Sequence, residues 1–412
     1  MKASLILLGL VAFASANTYD GFQVLTVRPQ TTEDADLIHR AVNNLGLDQW
    51  TRPKALGAPV DIMMTDRQAN SFMNILRSKN IPAEVKIADI QKVIDEQATA
   101  RENRPKSSRA FDHTDYHTLN EIYATLDGLK SDFPSLVTDY VAGTTYEGRD
   151  IRVTVISSDG SNTRDVIWID CGIHAREWVS TATCQWILDQ LTSGYGSDSE
   201  VTALLDTYDF HIMTVTNPDG YEYTWNSDRL WRKNRVPYGG LGCHGTDPNR
   251  NFDSAFGGPG TSDSPCSDIY HGPSAFSEAE SSAVRDSTVA LGSRMKMFIT
   301  IHSYSQYWMT PYGYDYTLPA NYDEQYRVAE TGVQALTAVH GTQFTYGNIA
   351  DVIYLAAGGS SDWAYDATGV QYAFALELRD TGFWGFLLPP EQIIPTGEET
   401  WAGLKAAITA MQ

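Results

Sequence analysis

The chain is short of positive charge: 30 Lys and Arg stand against 51 Asp and Glu, a formal net charge of −21 over 412 residues. A nucleic-acid partner is excluded on that balance, because phosphates are neutralised by a basic surface. Long apolar runs are also missing. Past the first sixteen residues nothing is long and apolar enough to cross a bilayer, so no membrane partner is expected. Cysteine is scarce, four in all, and no Cys-x-x-Cys occurs, which argues against a thiolate metal site. Asn-x-Ser/Thr is absent, so N-glycosylation is not expected. Gly-x-Ser-x-Gly and His-Glu-x-x-His are absent too. Those gaps argue against a nucleophile-elbow serine hydrolase and against the common helical zinc endopeptidases. Gly240–Gly245 fits G-x-G-x-x-G, but it follows no strand, opens no helix and contains a cysteine. It reads as a glycine-rich loop, not a dinucleotide site. With 42% hydrophobic and 20% charged residues, the composition is ordinary for a globular protein, and disorder and coiled coil are poor readings.

What is present begins with an address. Met1–Ala16 combines Lys2, the apolar run Leu5–Phe13 and the small residues Ala14-Ser15-Ala16. That is the pattern of a cleaved secretory signal, so a secreted, soluble, extracellular protein is expected. In that setting Cys171, Cys184, Cys243 and Cys266 form two disulfides, with three connectivities open. Residues 17–96 hold the strand-like runs Phe22–Val27, Val60–Met64 and Ala83–Ala88, alternating with helical Asp34–Leu45, Asp66–Lys79 and Ile90–Ala100. This alternation predicts a small open α/β sandwich. Ala98–Phe111, ATARENRPKSSRAF, then carries Arg101, Arg104, Lys106 and Arg109 around Pro105. It reads as an exposed basic connector: an interdomain linker, or a site cut by a trypsin-like protease.

From about Ala110 the pattern changes. Apolar, β-branched runs recur at Ile151–Ile156, Val166–Cys171, Phe210–Val215, Met297–Ile301 and Tyr372–Leu378. Helical stretches at Leu119–Phe133, Val179–Leu191, Ser277–Leu291 and Glu324–His340 separate several of them. The expected fold is α/β, with a mixed, largely parallel central sheet flanked by helices. Chemistry in such sheets gathers beyond the carboxyl ends of the strands.

Two of those ends carry metal-ligand types. Val166–Cys171 runs into Gly172-Ile173-His174-Ala175-Arg176-Glu177, and Met297–Ile301 runs into His302-Ser303-Tyr304. His174, Glu177 and His302 make a two-imidazole, one-carboxylate set that leaves a fourth zinc position open for water. A lone His-x-x-Glu occurs by chance; its coincidence with two buried-strand ends favours a metal site over separate structural histidines.

At this point the chain resembles the pancreatic-type zinc metallocarboxypeptidases of the carboxypeptidase A/B family in proenzyme form. The matching blocks are HAREW (His174–Trp178), RLWRKNR (Arg229–Arg235), DPNRNFD (Asp247–Asp253), IHSYSQ (Ile301–Gln306), IYLAAGGSSDWAY (Ile353–Tyr365), LELRDTG (Leu376–Gly382) and GFLLP (Gly385–Pro389). The ligand set is one already known for carboxypeptidase A. The resemblance implies one Zn2+ per catalytic domain and a signal at 1–16. It implies an inhibitory prosegment at 17–109, an antiparallel α/β unit covering the cleft, and a catalytic domain at 110–412. Cleavage is expected after Arg109 by a trypsin-like protease. Glu377 matches the general base and acid, although beside Arg379 it would otherwise read as half of an ion pair. Arg232 matches the arginine that stabilises the oxyanion, although RLWRKNR by charge alone reads as a solvated stretch. Asn249 and Arg250 match the clamp for a free carboxylate, and Tyr354 the mobile tyrosine that closes over it. Arg176, Tyr304 and Phe386 match residues lining the subsites for the preceding substrate residues, and Asp247 the carboxylate that orients the first zinc histidine. The implied disulfides are Cys171–Cys184 and Cys243–Cys266; having both is more B-like than A-like.

Side-chain preference rests on the terminal pocket. Ser361 stands where B-type members carry Asp and A-type members an aliphatic residue. Met309, Gly313, Ile349, Ile353, Ala356 and Ala375 match the other pocket positions. The set is small and apolar, with no charge to offset desolvation of a buried Lys or Arg. It predicts an exopeptidase that releases single apolar or aromatic C-terminal residues. Asp362 could turn inward, but the family's matching Asp is there whatever the specificity. The alternatives are a B-like or broad preference, or a catalytically silent zinc- and peptide-binding homologue; retention of Glu377 and Arg232 argues against silence. An unrelated secreted binding domain would hold no stoichiometric zinc. Expected partners are peptide or protein C-termini, the activating protease and proteinaceous carboxypeptidase inhibitors. A monomer in digestive use is expected.

Overall fold

The computed structural model describes residues 18–51, 56–103, 112–238 and 242–412. The signal segment, Arg104, Lys106 and Arg109 lie outside them, as does part of the glycine-rich motif at 240–245.

The N-terminal unit is a four-stranded antiparallel sheet in the order Asp48–Gln49, Val60–Thr65, Phe22–Val27, Ala83–Ile87. Helices Thr32–Leu45 and Asp66–Ser78 start at threonine capping boxes, Thr31 with Asp34 and Thr65 with Gln68. Strand alternation then gives each face a different job. Leu25, Val27, Ile62 and Met64 pack under the two helices with Ile38, Phe72 and Leu76. The opposite face turns Val24, Met63 and Ile87 onto Leu230, Tyr304 and Phe386 of the larger unit. Asp61 lies on that second face by the same alternation.

The larger unit is built on an eight-stranded sheet. Its order is Thr345–Asn348, Tyr307–Thr310, Tyr372–Leu378, Met295–Ser303, Asp165–Cys171, Tyr208–Met213, Asp150–Ile156, Val137–Thr144. The three central pairings are parallel, and antiparallel pairings flank them on both sides. Ile167, Ile169, Met297, Ile299, Phe374 and Leu376 face helices Trp178–Gly194, Tyr322–His340 and Ile393–Ala410. Trp168, Phe298 and Ala373 face Ala279–Leu291 and Ser360–Thr368. Both faces are covered, which is why the central strands read as continuous apolar runs.

Element ends differ from the expectations by a few residues, as caps and frayed turns allow. The strand expected at Phe210–Val215 is Tyr208–Met213, and the helix expected from Ser277 starts at Ala279. Several elements were not anticipated, the short strands Tyr307–Thr310 and Thr345–Asn348 and the helix Ser360–Thr368 among them, and two show why. Val137–Thr144 is an outer strand with half-exposed residues, so it lacks a continuous apolar run. Ile393–Ala410 carries Pro395 in its first turn, where a missing N–H is harmless. The chain contains the disulfides Cys171–Cys184 and Cys243–Cys266, with Cα separations of 6.3 and 5.0 Å.

Candidate active site

Register assembles the site. Strands Met295–Ser303 and Tyr372–Leu378 run parallel with His302 opposite Glu377, and Ile301 lies opposite Cys171 on the other side. His302, Glu377 and the loop carrying His174 therefore emerge at one edge, the carboxyl ends of three parallel strands. Gly172 turns the chain at a left-handed φ of +66°, and a Cβ there would meet Thr181 Oγ1 at 2.6 Å. Ser180 ties the two strand ends, accepting the Gly172 N–H at 3.0 Å and donating to the Ile301 carbonyl. Asn217 Nδ2 and the Arg232 carbonyl hold the backbone of Ile173 and Ala175.

His174, Glu177 and His302 are all buried, and one ligand atom from each lies within 4.8 Å of the others. His174 Nδ1 is 2.8 Å from Glu177 Oε1, and His302 Nδ1 is 3.1 Å from Glu177 Oε2. The two Nδ1 atoms are 3.1 Å apart. Burial opposes ionisation of Glu177, yet His174 and His302 hold it well below the usual carboxylate range. Burial lowers His302, against the pull of Glu177. Three such donors converging in a dry site fit a zinc ion with one position open.

Asp247 organises one flank. Its Oδ1 lies 3.0 Å from His174 Nε2 and accepts the Asn249 N–H at 2.9 Å. Its Oδ2 accepts Arg232 Nε and Nη2 at 3.1 and 2.9 Å. Despite its burial, Arg232, His174 and Arg250 hold this carboxyl well below its ordinary value. RLWRKNR is thus not a solvated stretch at Arg232.

Glu377 faces the cluster. Burial, then the Glu177 carboxylate, push it well above the ordinary range, with Arg232 and Arg250 opposing. Its Oε2 has no hydrogen-bond partner among the described residues. The alternative pairing with Arg379 is not formed: Arg379 is engaged by Glu399, at 2.7 Å to Oε1 and 2.5 Å to Oε2. Alternation along the strand sends neighbouring side chains to opposite faces.

A pocket opens beside Glu377 between Arg250, Asn249 and Tyr354, and its wall includes Ser361, Met309, Ile349, Ile353, Ala356 and Ala375. Asn249 Oδ1 accepts the Ser360 N–H at 2.9 Å, and Arg250 donates to the carbonyls of Gly260 and Asn249. Two expectations need correction. Gly313 is not part of the wall; a Cβ there would press on Ile349 at 2.9 Å. The pocket also does not lack a carboxyl, because Asp362 lines it. Asp362 Oδ2 accepts the N–H of Gly313 at 2.7 Å and of Tyr314 at 3.3 Å, Oδ1 has no partner among the described residues, and burial pushes the group up to about 7. Only the fold reveals that the helix Ser360–Thr368 turns it inward.

The N-terminal unit roofs this cleft. Asp48 Oδ2 accepts Arg176 Nη1 at 2.8 Å, and the Arg176 guanidinium lies 4.1 Å over the Phe386 ring. Tyr304 donates to Asp61 Oδ2 at 3.1 Å and meets Phe386 edge-on at 5.0 Å. Trp50 meets Phe386 from the other side at 5.2 Å. Asp48, Trp50 and Asp61 had not been singled out. A charged residue inside the apolar strand Val60–Thr65 was the available signal for Asp61.

An α/β sheet with a His₂Glu cluster and a free carboxylate at its strand ends defines a metal-dependent hydrolase. The chain belongs to the zinc carboxypeptidase family: residues 122–403 match its family model, and residues 25–97 match that of the carboxypeptidase activation peptide. Carboxypeptidase A2 of Rattus norvegicus is 43% identical over 411 residues, spanning 98% of this chain and 97% of the relative. The crystal structure of carboxypeptidase A from Helicoverpa armigera superposes with a TM-score of 0.87 at 31% identity, covering 95% of this chain and 98% of that one. Bovine thrombin-activatable fibrinolysis inhibitor, solved with tick carboxypeptidase inhibitor, gives a TM-score of 0.68 at 41% identity over 72% of this chain and 98% of that one. The protein is a metallocarboxypeptidase, a zinc-dependent peptide hydrolase of the A-like type carrying its activation peptide. Among the described residues no helix is long and apolar enough to cross a membrane.

Proposed function

We propose that the protein is a secreted zymogen whose mature form removes single apolar or aromatic residues from peptide C-termini. The observation that carries this reading is the pocket beside Glu377, apolar along Met309, Ile349, Ile353 and Ala375 and cationic at Arg250. His174, Glu177 and His302 would hold zinc, which when bound would supply Lewis acidity and lower the pKa of water at the open position. Glu377 takes a proton from water and later delivers it to the leaving nitrogen. Arg232, held by Asp247, presents a fixed cation to the developing oxyanion. Asn249, Arg250 and Tyr354 receive the terminal carboxylate, and Arg176, Tyr304 and Phe386 the preceding residues. The latter three are occupied by Asp48, Asp61 and Trp50, which supports latency until the 17–109 segment is cut from 110–412 near Arg109 by a trypsin-like protease. The Met1–Ala16 pattern supports secretion, the inhibitor-bound bovine relative supports susceptibility to proteinaceous inhibitors, and a monomer is proposed.

One observation favours a broader preference: Ser361 and Asp362 Oδ1, which has no partner among the described residues, give the pocket polar capacity. Trypsin-treated protein tested on matched peptides ending in Phe, Leu, Gln, Lys and Arg decides between the two. Phe and Leu are expected to lead; a clear preference for Lys and Arg would reject the A-like reading.

A further inference from the structure

We propose that Asp170 and Thr300 form a buried relay that fixes the ring tautomer of His302, making Thr300 a positioning residue for the metal site. The proposal rests on the reading of His302 as a zinc ligand. Thr300 and His302 are two apart on one strand, so they share a face, and Asp170 lies opposite Thr300 in the neighbouring parallel strand. All three side chains are buried. Asp170 Oδ2 accepts the Trp168 indole N–H at 2.9 Å, and Oδ1 accepts the Thr300 hydroxyl at 2.7 Å. Thr300 Oγ1 lies 3.3 Å from His302 Nε2.

Counting protons gives the direction. Burial pushes Asp170 up to about 6, so at neutral pH it is ionised and only accepts. A hydroxyl has one proton, and that of Thr300 goes to Asp170. Thr300 Oγ1 can then only accept from His302, which favours a ring proton on Nε2 and an Nδ1 lone pair free for metal; without metal, Glu177 Oε2 at 3.1 Å from Nδ1 competes for that proton. The hydrogen bond made by one imidazole nitrogen sets the state of the other. A rival donor is present: Asn249 Nδ2 is also 3.3 Å from His302 Nε2. Were Asn249 to donate there, Nδ1 would carry the proton and could not bind metal. The Asp170–Thr300 pair selects against that state, as Asp247 does for the other histidine through Nε2.

The test uses the full-length proenzyme, stripped of metal and titrated with zinc against a competing chelator. Thr300→Val keeps the shape and removes the hydroxyl; its zinc affinity is expected to fall about 10- to 100-fold, and Thr300→Ser is expected to restore most of it. Nitrogen-15 histidine spectra of the unmodified zinc-loaded protein, in which His302 is assigned by substitution, should show an Nε2–H engaged in a hydrogen bond. A solvent-exchanging Nε2–H without that bond, or unchanged zinc affinity in Thr300→Val, overturns the relay, and the spectral readout stands even if the valine variant does not fold. His302→Ala separates the two levels: if it leaves zinc affinity unchanged, the ligand assignment itself fails.

Discussion

Trp50 is the aromatic anchor among the side chains by which the activation peptide meets the cleft, and removing it should weaken latency by a calculable amount. The ring is 7% exposed, meets Phe386 edge-on at 5.2 Å and donates its indole N–H to Asp48 Oδ2 at 3.0 Å. It also packs on Gly385, where a Cβ would approach it to 3.0 Å. Truncating a buried Trp to Ala costs about 3–5 kcal/mol. Part of that contact is with its own unit, so roughly half, about 2 kcal/mol, is assigned to docking, and aromatic geometry accounts for some of it. At about 1.4 kcal/mol per decade this is a roughly 30-fold weaker association of the severed activation peptide with the mature enzyme. The assay is the inhibition constant of the isolated peptide, Trp50→Ala against unmodified, on hydrolysis of a Phe-ended substrate, with circular dichroism as the folding control. A folded variant that inhibits as well as the unmodified peptide would refute the assignment of Trp50 as an anchor.

Glu377→Gln keeps the shape but removes the proton acceptor; turnover should fall by about 10²- to 10⁴-fold or more, with zinc still bound one to one by metal analysis. Near-normal turnover would take Glu377 out of the mechanism. Asp48 gives a pH dependence. Burial raises it to about 6 from 3.8, Arg176 opposes this and Asp268 adds to it. The docked form therefore holds more protons between those values, so docking weakens as pH rises towards about 6 and levels off above it. Calorimetry of peptide binding at about pH 4.5 and about pH 7 checks the sign, and tighter binding at the higher pH contradicts it. Ser361→Asp adds a second carboxyl to the pocket and should shift the ratio of Lys-ended to Phe-ended kcat/KM upward by at least about tenfold, the low end of measured close-charge couplings. An unmoved ratio would place residue 361 away from the bound side chain.

How far the site was legible depended on whether a residue's partner is local. His174 and Glu177 sit three apart on one loop, and His302 directly follows an apolar run, so all three could be picked out as they stand. Glu377 could not: beside Arg379 it has the pattern of an ion pair, and only the distant Glu399, which takes Arg379, breaks that reading. Val137–Thr144 escaped notice because a half-exposed strand at the sheet's edge need not be continuously apolar.

Periodicity and turn chemistry are carried by consecutive residues, which is why the two α/β units and the strand ends with their ligands were readable in the linear chain. Other features arise where segments hundreds of positions apart meet. The Asp48–Arg176 and Asp61–Tyr304 contacts under the roof, the inward turn of Asp362, and the Asp170–Thr300–His302 alignment belong to that group. These depend on which strands and which units meet, and that is decided by long-range packing and the burial of whole faces; the local pattern says only which side of each strand turns inward.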